Sequence, residues 1–370
     1  MWETSKPHRL LAKIPMHIIY TDRHLHHDPA HAVIDGKVFD SEDTPERAET
    51  ILRAIQKASI GQAYPPTDHH LSPILAVHDR GFVQYLRTAY TENTKAYGTP
   101  GAVLVQTFAP RNLRRKPNRF FGLPGYYSYG VGTPVLEGTW EAAYWSAQCA
   151  LTAADAVVGG EHAAYALCRP PGHHAAADLF GGLCYLNNAA IVARYLQQRT
   201  PLPPTGEHWS EAKVAILDID YHHGNGTQEI FYSDPKVLYC SLHAHPDDDY
   251  PYFWGAEDET GQGEGKSYNH NWPLPQGTTD ADYLATLNEA LAIIVDYRPH
   301  WFVISAGFDT LAGDSIGGFK LTLKGIGEIG KRIASLNLPT VIVQEGGYLL
   351  EKLGEAAVTF LKPFSSHDRD

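Results

Sequence analysis

Short hydrophobic runs recur along the chain, and most of them end in a cluster of polar residues. Met16 to Tyr20 is the first and predicts a strand. Thr44-Pro45-Glu46 then predicts a helix start, with Thr44 as the cap and Pro45 in the first turn. The helix that follows sets Ala48, Ile51, Leu52, Ile55 and Ala58 on one face, which reads as core. Thr139 opens a second helix running to about Val158. Beyond it the pattern becomes strand, loop, helix. Ala163 to Cys168 ends in RPPGHH, Lys213 to Asp220 in YHHGNGT, Val237 to Leu242 in HAHPDDD, Trp301 to Ser305 in AGFDT, and Thr340 to Val343 in QEGGY. Asp280 to Tyr297 carries Leu284, Leu287, Leu291 and Ile294 at helical spacing. This alternation predicts an α/β fold with a parallel sheet covered by helices on both faces. Every polar cluster then falls at a carboxyl end of the sheet, where such sheets bind ligands. Residues 90 to 138 break the rhythm with Arg111, Arg114, Arg115, Lys116 and Arg119, followed by the aromatic, glycine-rich FFGLPGYYSYGVGTP. The basic run reads as a solvated face, and the aromatics as a pocket rim or an interface.

Composition narrows the picture. With 370 residues and 43% hydrophobic content, one large domain over 16–361 can bury its own core, preceded by a leader at 1–15 and followed by a tail at 362–370. A formal net charge of -12 argues against a nucleic-acid partner and favours a cationic substrate. Cys149, Cys168, Cys184 and Cys240 lie far apart in apolar stretches, neither a disulfide framework nor a cysteine metal site, which fits a reduced, cytoplasmic setting. No apolar run is long enough for a membrane span.

The chemistry centres on AILDIDYHHGNGT. On a strand, alternate side chains share a face, so Asp218, Asp220 and His222 are expected to point together as the strand runs out. Two buried carboxylates and an imidazole need a compensating cation, and a divalent metal supplies it. Asp309, at the end of WFVIS, is the natural third ligand beside Asp220 and His222. Three protein ligands leave a position open, which marks a catalytic zinc site; the same ligand types also accept iron(II). His173 and His174, after a Pro-Pro-Gly turn, suit acid-base work, and Tyr348 after Gly346 and Gly347 could donate to an oxyanion. A two-manganese ureohydrolase would need further carboxylates, but the position two past Asp309 is Leu311. A non-catalytic sensor of acetylated amines would not need the full set His173, His174, Asp220, His222, Asp309 and Tyr348.

Taken together, RPPGHHAAADLFGGLCYLNNAA, ILDIDYHHGNGTQEIFY, SLHAHP, SAGFDTLAGD and QEGGY resemble the metal-dependent histone deacetylase superfamily over roughly Met16 to Leu361. MHIIYTDRHLHH, VHDRGFVQYL, GYYSYG, GTWEAA, ALCRPPGHH and DETGQGEG resemble its bacterial acetylpolyamine amidohydrolases and class II-like members. The resemblance implies an arginase/deacetylase fold, a central, mainly parallel eight-stranded sheet with helices on both faces. It implies a zinc-dependent hydrolase that removes acetyl groups from N-acetylated cationic amines, with Asp220, His222 and Asp309 on the metal. His174 is then general base and acid, His173 gives electrostatic help, Tyr348 polarises the acetyl carbonyl, Asp218 bonds His173, and Asn225 orients His174. Structural potassium ions are implied at Asp218, Asp220, His222, Ser241 and Leu242, and at Phe231, Asp234, Val237 and Tyr268. Gly182, Leu183, Phe121 and Ile316 are expected along the substrate channel. The chain departs from the polyamine group where Phe121 and Gly132 replace acidic residues and Leu183 replaces an aromatic, and SAGFDTLAGD looks closer to lysine deacetylases. Substrate choice between an acetylpolyamine and an acetyl-lysine peptide therefore stays open. The resemblance of the long segment before GTWEAA to the insertion of the polyamine group implies a homodimer.

Overall fold

The computed structural model describes residues 16–34, 37–110, 115–199 and 212–366. The leader, Arg111, Arg114 and the end of the tail lie outside the described residues.

The strands, in chain order, are β1 (Met16–Ile19), β2 (His31–Ile34), β3 (Lys37–Asp40), β4 (Gly61–Tyr64), β5 (Ala163–Ala166), β6 (Val214–Asp218), β7 (Val237–Ala244), β8 (Asn269–Leu274), β9 (Trp301–Ala306) and β10 (Thr340–Gln344). The helices are α1 (Glu46–Ala58), α2 (Ser72–Leu75), α3 (Arg80–Tyr97), α4 (Leu123–Tyr127), α5 (Thr139–Val158), α6 (Asn188–Arg199), α7 (Asn225–Phe231), α8 (Asp280–Tyr297), α9 (Leu323–Ala334) and α10 (Leu350–Leu361). Eight strands form one sheet in the order β4-β1-β5-β10-β9-β6-β7-β8. Every pairing in it is parallel. β2 and β3 make a separate antiparallel hairpin.

Strand alternation divides the core. Ile18, Tyr165, Leu217, Ile304 and Ile342 face the side covered by Ile51 and Ile55 of α1, Leu287 and Leu291 of α8, Ile329 of α9 and Leu353 of α10. Ile19, Ala166, Ile216, Val303 and Val343 face the alanine-rich side of α5 and α6. Burial on both faces explains why these strands read as unbroken apolar runs. The register is what positions the site: Ala166, Val343, Ser305, Asp218 and Ser241 lie level across five adjacent strands. The loops that carry His173, Tyr348, Asp309 and Asp220 therefore leave the sheet at one height.

Several local expectations are corrected. Thr44 does not cap α1: the capping position is Pro45, with no side-chain bond, and the Thr44 hydroxyl is buried without a partner. Ala58 at the end of the predicted stripe is exposed. The strand expected to reach Asp220 stops at Asp218. Helix α3 runs on to Tyr97, where Gly98 closes it at φ 74° with its N–H on the Thr94 carbonyl, so the irregular segment starts later than the sequence suggests. The edge strands β4 and β8 were not anticipated.

Candidate active site

Ligand atoms of Asp220, His222 and Asp309 lie within 4.8 Å of one another, all three residues buried. His222 Nδ1 is 3.2 Å from Asp309 Oδ2 and 3.4 Å from Asp220 Oδ1. Backbone N–H groups hold the carboxylates: Gly346 donates to Asp220 Oδ2 at 2.8 Å, and Tyr221 to Asp309 Oδ1 at 2.9 Å. Gly346 has to be glycine, because a Cβ there would sit 2.3 Å from Asp309 Oδ2 and 2.6 Å from Asp220 Oδ2. Burial, then the charge of Asp220, raises the Asp309 carboxyl to about 7. Buried, convergent oxygen and nitrogen donors with no Lys or Arg among them fit a divalent transition-metal ion.

Asp218 is not part of this cluster. Its Oδ2 accepts from Tyr239 Oη at 3.1 Å and lies 3.1 Å from His173 Nδ1. With β6 ending at Asp218, Asp220 and His222 are placed by the turn, and strand alternation does not carry through to them. His173, Cys184 and Glu345 also come within 4.8 Å, yet this second group is a poor metal site. Glu345 Oε2 already accepts from the Gly172 and His173 N–H groups at 2.7 and 3.1 Å, and burial holds the Cys184 thiol protonated.

The paired imidazoles sit 4.0 Å apart by ring centroid in opposite electrostatic settings. Burial works against the charged form of His173, but Asp220 and Asp218 overcome it and raise the group to about 10. His174 is driven well below the usual 6.5 by burial and then by the charges of His173 and His222. Its Nδ1 meets Asn225 Oδ1 at 2.8 Å, leaving Nε2 as the free nitrogen. The carboxylates beside His173 favour its charged form, and the burial of His174 favours its neutral form.

Tyr348 follows Gly347, whose φ of 116° turns the chain back toward the cluster. Its N–H donates to Asp314 Oδ2 at 2.7 Å, and its ring lies 4.4 Å beneath the Arg47 guanidinium. Burial keeps the phenol protonated. Arg47 in turn donates to the Gly347 and Glu345 carbonyls, both at 2.7 Å, and to Asp43 Oδ1 at 2.6 Å.

His173, His174, Asp220, His222 and Tyr348 all open into one cavity of about 1220 Å³. Its wall includes Gly182, Leu183, Ile316 and Gly132, and Leu183 adopts the left-handed region at φ 65°. Asp40, Glu42, Glu229 and Asp249 also line it, with no Lys or Arg among the described lining residues. Phe121, expected in the channel, lies outside: it is 56% exposed on a short turn and packs edge-on against Tyr97. Of the residues expected at potassium, Asp218 and Ser241 are register partners. The Phe231 carbonyl accepts from Asp234 N–H at 2.9 Å, the Asp234 carbonyl from Val237 N–H at 3.4 Å, and the Tyr268 carbonyl from Tyr239 N–H at 2.9 Å. Sequence reasoning missed Arg47, which reads as a surface residue of an amphipathic helix, and Tyr129, one aromatic among many. Glu345 was open to detection as a second polar residue at the QEGGY strand exit.

Comparison with known proteins agrees with this geometry. A histone deacetylase domain model matches residues 41–363. Acetylpolyamine amidohydrolase 1 of Pseudomonas aeruginosa is 41% identical over 355 residues, 95% of this chain and 99% of that protein. Acetylpolyamine amidohydrolase of Mycoplana ramosa is 37% identical over 348 residues, 94% of this chain and 99% of that protein. The crystal structure of acetylpolyamine aminohydrolase from Burkholderia pseudomallei superposes with a TM-score of 0.88 at 38% identity, covering 95% of this chain and 99% of that one. With near-complete coverage on both sides and the site residues converging at the sheet's carboxyl edge, this chain belongs to the histone deacetylase domain family.

Proposed function

We propose that the chain is a metal-dependent amidohydrolase that removes acetyl groups from N-acetylated cationic amines. The observation that carries this reading is the convergence of Asp220, His222 and Asp309 beside the paired imidazoles of His173 and His174, in a cavity whose lining includes Asp40, Glu42, Glu229 and Asp249. Asp220, His222 and Asp309 would hold zinc, iron(II) being the other ion this donor set accepts. Bound there, the ion supplies Lewis-acid polarisation of the acyl carbonyl.

The chain's own groups do the rest. His174, neutral and with Nε2 free, takes the proton of the attacking water and later gives it to the departing amine. Asn225 holds the ring through Nδ1. His173, tied to Asp218 and favoured in its charged form by the carboxylates around it, would offset negative charge as it develops. The protonated Tyr348 hydroxyl donates to the acyl oxygen as it becomes an oxyanion. Acetate and the free amine leave.

The relatives' names favour an acetylpolyamine as substrate. A second reading, an acetyl-lysine peptide, is favoured by Leu183, which widens the channel wall where an aromatic would narrow it. We also propose structural potassium at the Asp218–Leu242 and Phe231–Tyr268 sites, a homodimer formed through the 90–138 segment, and a reducing cytoplasmic setting for the four buried thiols. No helix among the described residues is long and apolar enough to cross a membrane. The deciding experiment measures bound metal and acetate release from acetylputrescine and acetyl-lysine peptides side by side. Metal with no acetate from either substrate sinks the reading.

A further inference from the structure

Asp314 stands on the loop between β9 and α9, the loop that also carries Asp309, and is 7% exposed. Its Oδ2 accepts from two consecutive backbone N–H groups, Tyr348 at 2.7 Å and Leu349 at 2.9 Å, and its Oδ1 from the Ile316 N–H at 3.2 Å. Among the described residues every Lys and Arg ion pair goes to another acid, so the partners the structure gives this buried charge are backbone N–H groups. The loop itself is closely folded. Asp314 N–H donates to the Leu311 carbonyl at 3.1 Å, and a Cβ on Gly317 would sit 1.8 Å from the Asp309 carbonyl oxygen. On the other side, Tyr348 and Leu349 lead into α10, and Leu349 at the capping position brings no side-chain bond of its own. Asp314 supplies the missing acceptor from outside the helix, while Arg47 takes the Glu345 and Gly347 carbonyls of the same segment.

A buried carboxylate is costly unless its hydrogen bonds are made, and bonds to an ionised acceptor are the stronger ones. Here they are made to the backbone that carries the oxyanion donor. Gly347, with φ of 116°, is the most permissive position of that segment, and a hydroxyl at the far end of a phenol ring magnifies any rotation of the chain behind it. A misplacement of about 1 Å at a reacting group can cost about 10²-fold in rate. We infer that Asp314 is a positioning residue for the hydrolysis: its carboxylate fixes the Tyr348–Leu349 backbone against the loop that carries Asp309, and so holds the Tyr348 hydroxyl at the acyl oxygen. This rests on the functional reading above and deepens it. One loop then sets the distance between a metal-ligating carboxylate and the oxyanion donor.

Asp314→Asn keeps the shape but turns one acceptor into an N–H donor, which meets a backbone donor in either orientation of the amide. It is expected to lower kcat by about ten- to hundredfold, with KM within about twofold of wild type and bound metal unchanged. In Tyr348→Phe the hydroxyl to be positioned is gone, so adding Asp314→Asn there should cost less than about twofold more. Wild-type kcat in Asp314→Asn overturns the inference. So does an equal loss in both backgrounds, or a loss carried by KM or by metal content, since Asp314 would then serve the fold, the cavity loop or Asp309. Should Asp314→Asn fail to fold, Asp314→Ser, which keeps a small acceptor, carries the same expectations. A second measurement needs no turnover. With 3-fluorotyrosine in place of Tyr348, the fluorine resonance should be a single narrow line in the otherwise wild-type protein and should shift or broaden in Asp314→Asn; an unchanged line overturns the inference. An inactive wild-type enzyme would sink the functional reading instead, and the fluorine line would still decide whether Asp314 anchors Tyr348.

Discussion

At the scale of single residues, the site depends on keeping two adjacent imidazoles in different protonation states. His173 is raised to about 10 because Asp220 and Asp218 outweigh its burial, whereas burial and then the charges of His173 and His222 lower His174, which favours its base form. His174→Ala should reduce turnover by about 10²–10⁴-fold, the usual contribution of a general base, while metal content stays at the wild-type level. Tyr348→Phe should cost about 10²–10³-fold, as loss of one oxyanion donor does. Near-normal acetate release from either metal-loaded variant would remove its assigned role. The pH profile has a definite sign. Since His174 is held below 6.5 in the folded protein, it is already deprotonated at neutrality. kcat/KM should therefore stay level from about pH 8 to about pH 7 and fall only on further acidification; an acid limb centred above neutrality would contradict the geometry. Most of these residues were legible because each stands in a polar cluster just past an apolar run. Asp218 lies beside His173 and outside the Asp220–His222–Asp309 cluster, and Asp220 and His222 are set by the turn beyond β6, where period-two reasoning no longer applies.

At the scale of elements, the buried strands were legible and the edges were not. β5, β6, β9 and β10 are covered on both faces and so read as apolar runs. β4 is the half-exposed GQAY, and β8 is NHNWPL, whose Asn269 and Asn271 Nδ2 groups donate to Gln228 Oε1 at 2.9 and 2.8 Å. Polar strands of this kind leave no hydrophobic signal. Arg47 was invisible for a related reason. A lone arginine on an amphipathic helix looks solvated, yet it is 2% exposed and ties α1 to the loop after β10 that carries Tyr348. Arg47→Met would leave Asp43 short of one partner and two buried carbonyls short of a donor. We expect a loss of about 3–5 kcal/mol of stability, measured by denaturant unfolding, together with reduced kcat. Arg47→Lys should recover only part of it, since one ammonium cannot reproduce the planar fork that meets three acceptors. Stability within about 0.5 kcal/mol of wild type in Arg47→Met would show that the clamp is not needed.

At the scale of the whole molecule, charge connects composition to substrate choice. The formal net charge of -12 has a local counterpart in the cavity wall, where Asp40, Glu42, Glu229 and Asp249 stand among aromatics with no Lys or Arg among the described lining residues. A cleft of one sign concentrates ligands of the other. Acetylputrescine carries a positive charge at the end away from the scissile amide, whereas a neutral N-alkylacetamide of equal length offers the same reacting atoms without it. The chemistry at His174 and Tyr348 is then identical for the two, and any difference in kcat/KM reports on the wall alone. The cationic substrate should have the higher kcat/KM, and the advantage should shrink as ionic strength rises from about 0.01 to about 1 M, because the screening length falls from about 30 Å to about 3 Å over that range. Glu42 is exposed, lines the cavity and lies outside the catalytic cluster, so Glu42→Gln should reduce the ratio while leaving turnover of the neutral amide unchanged. Equal kcat/KM for the two substrates at low salt would mean that the carboxylates take no part in selection, and the case for a polyamine would then rest on the relatives alone.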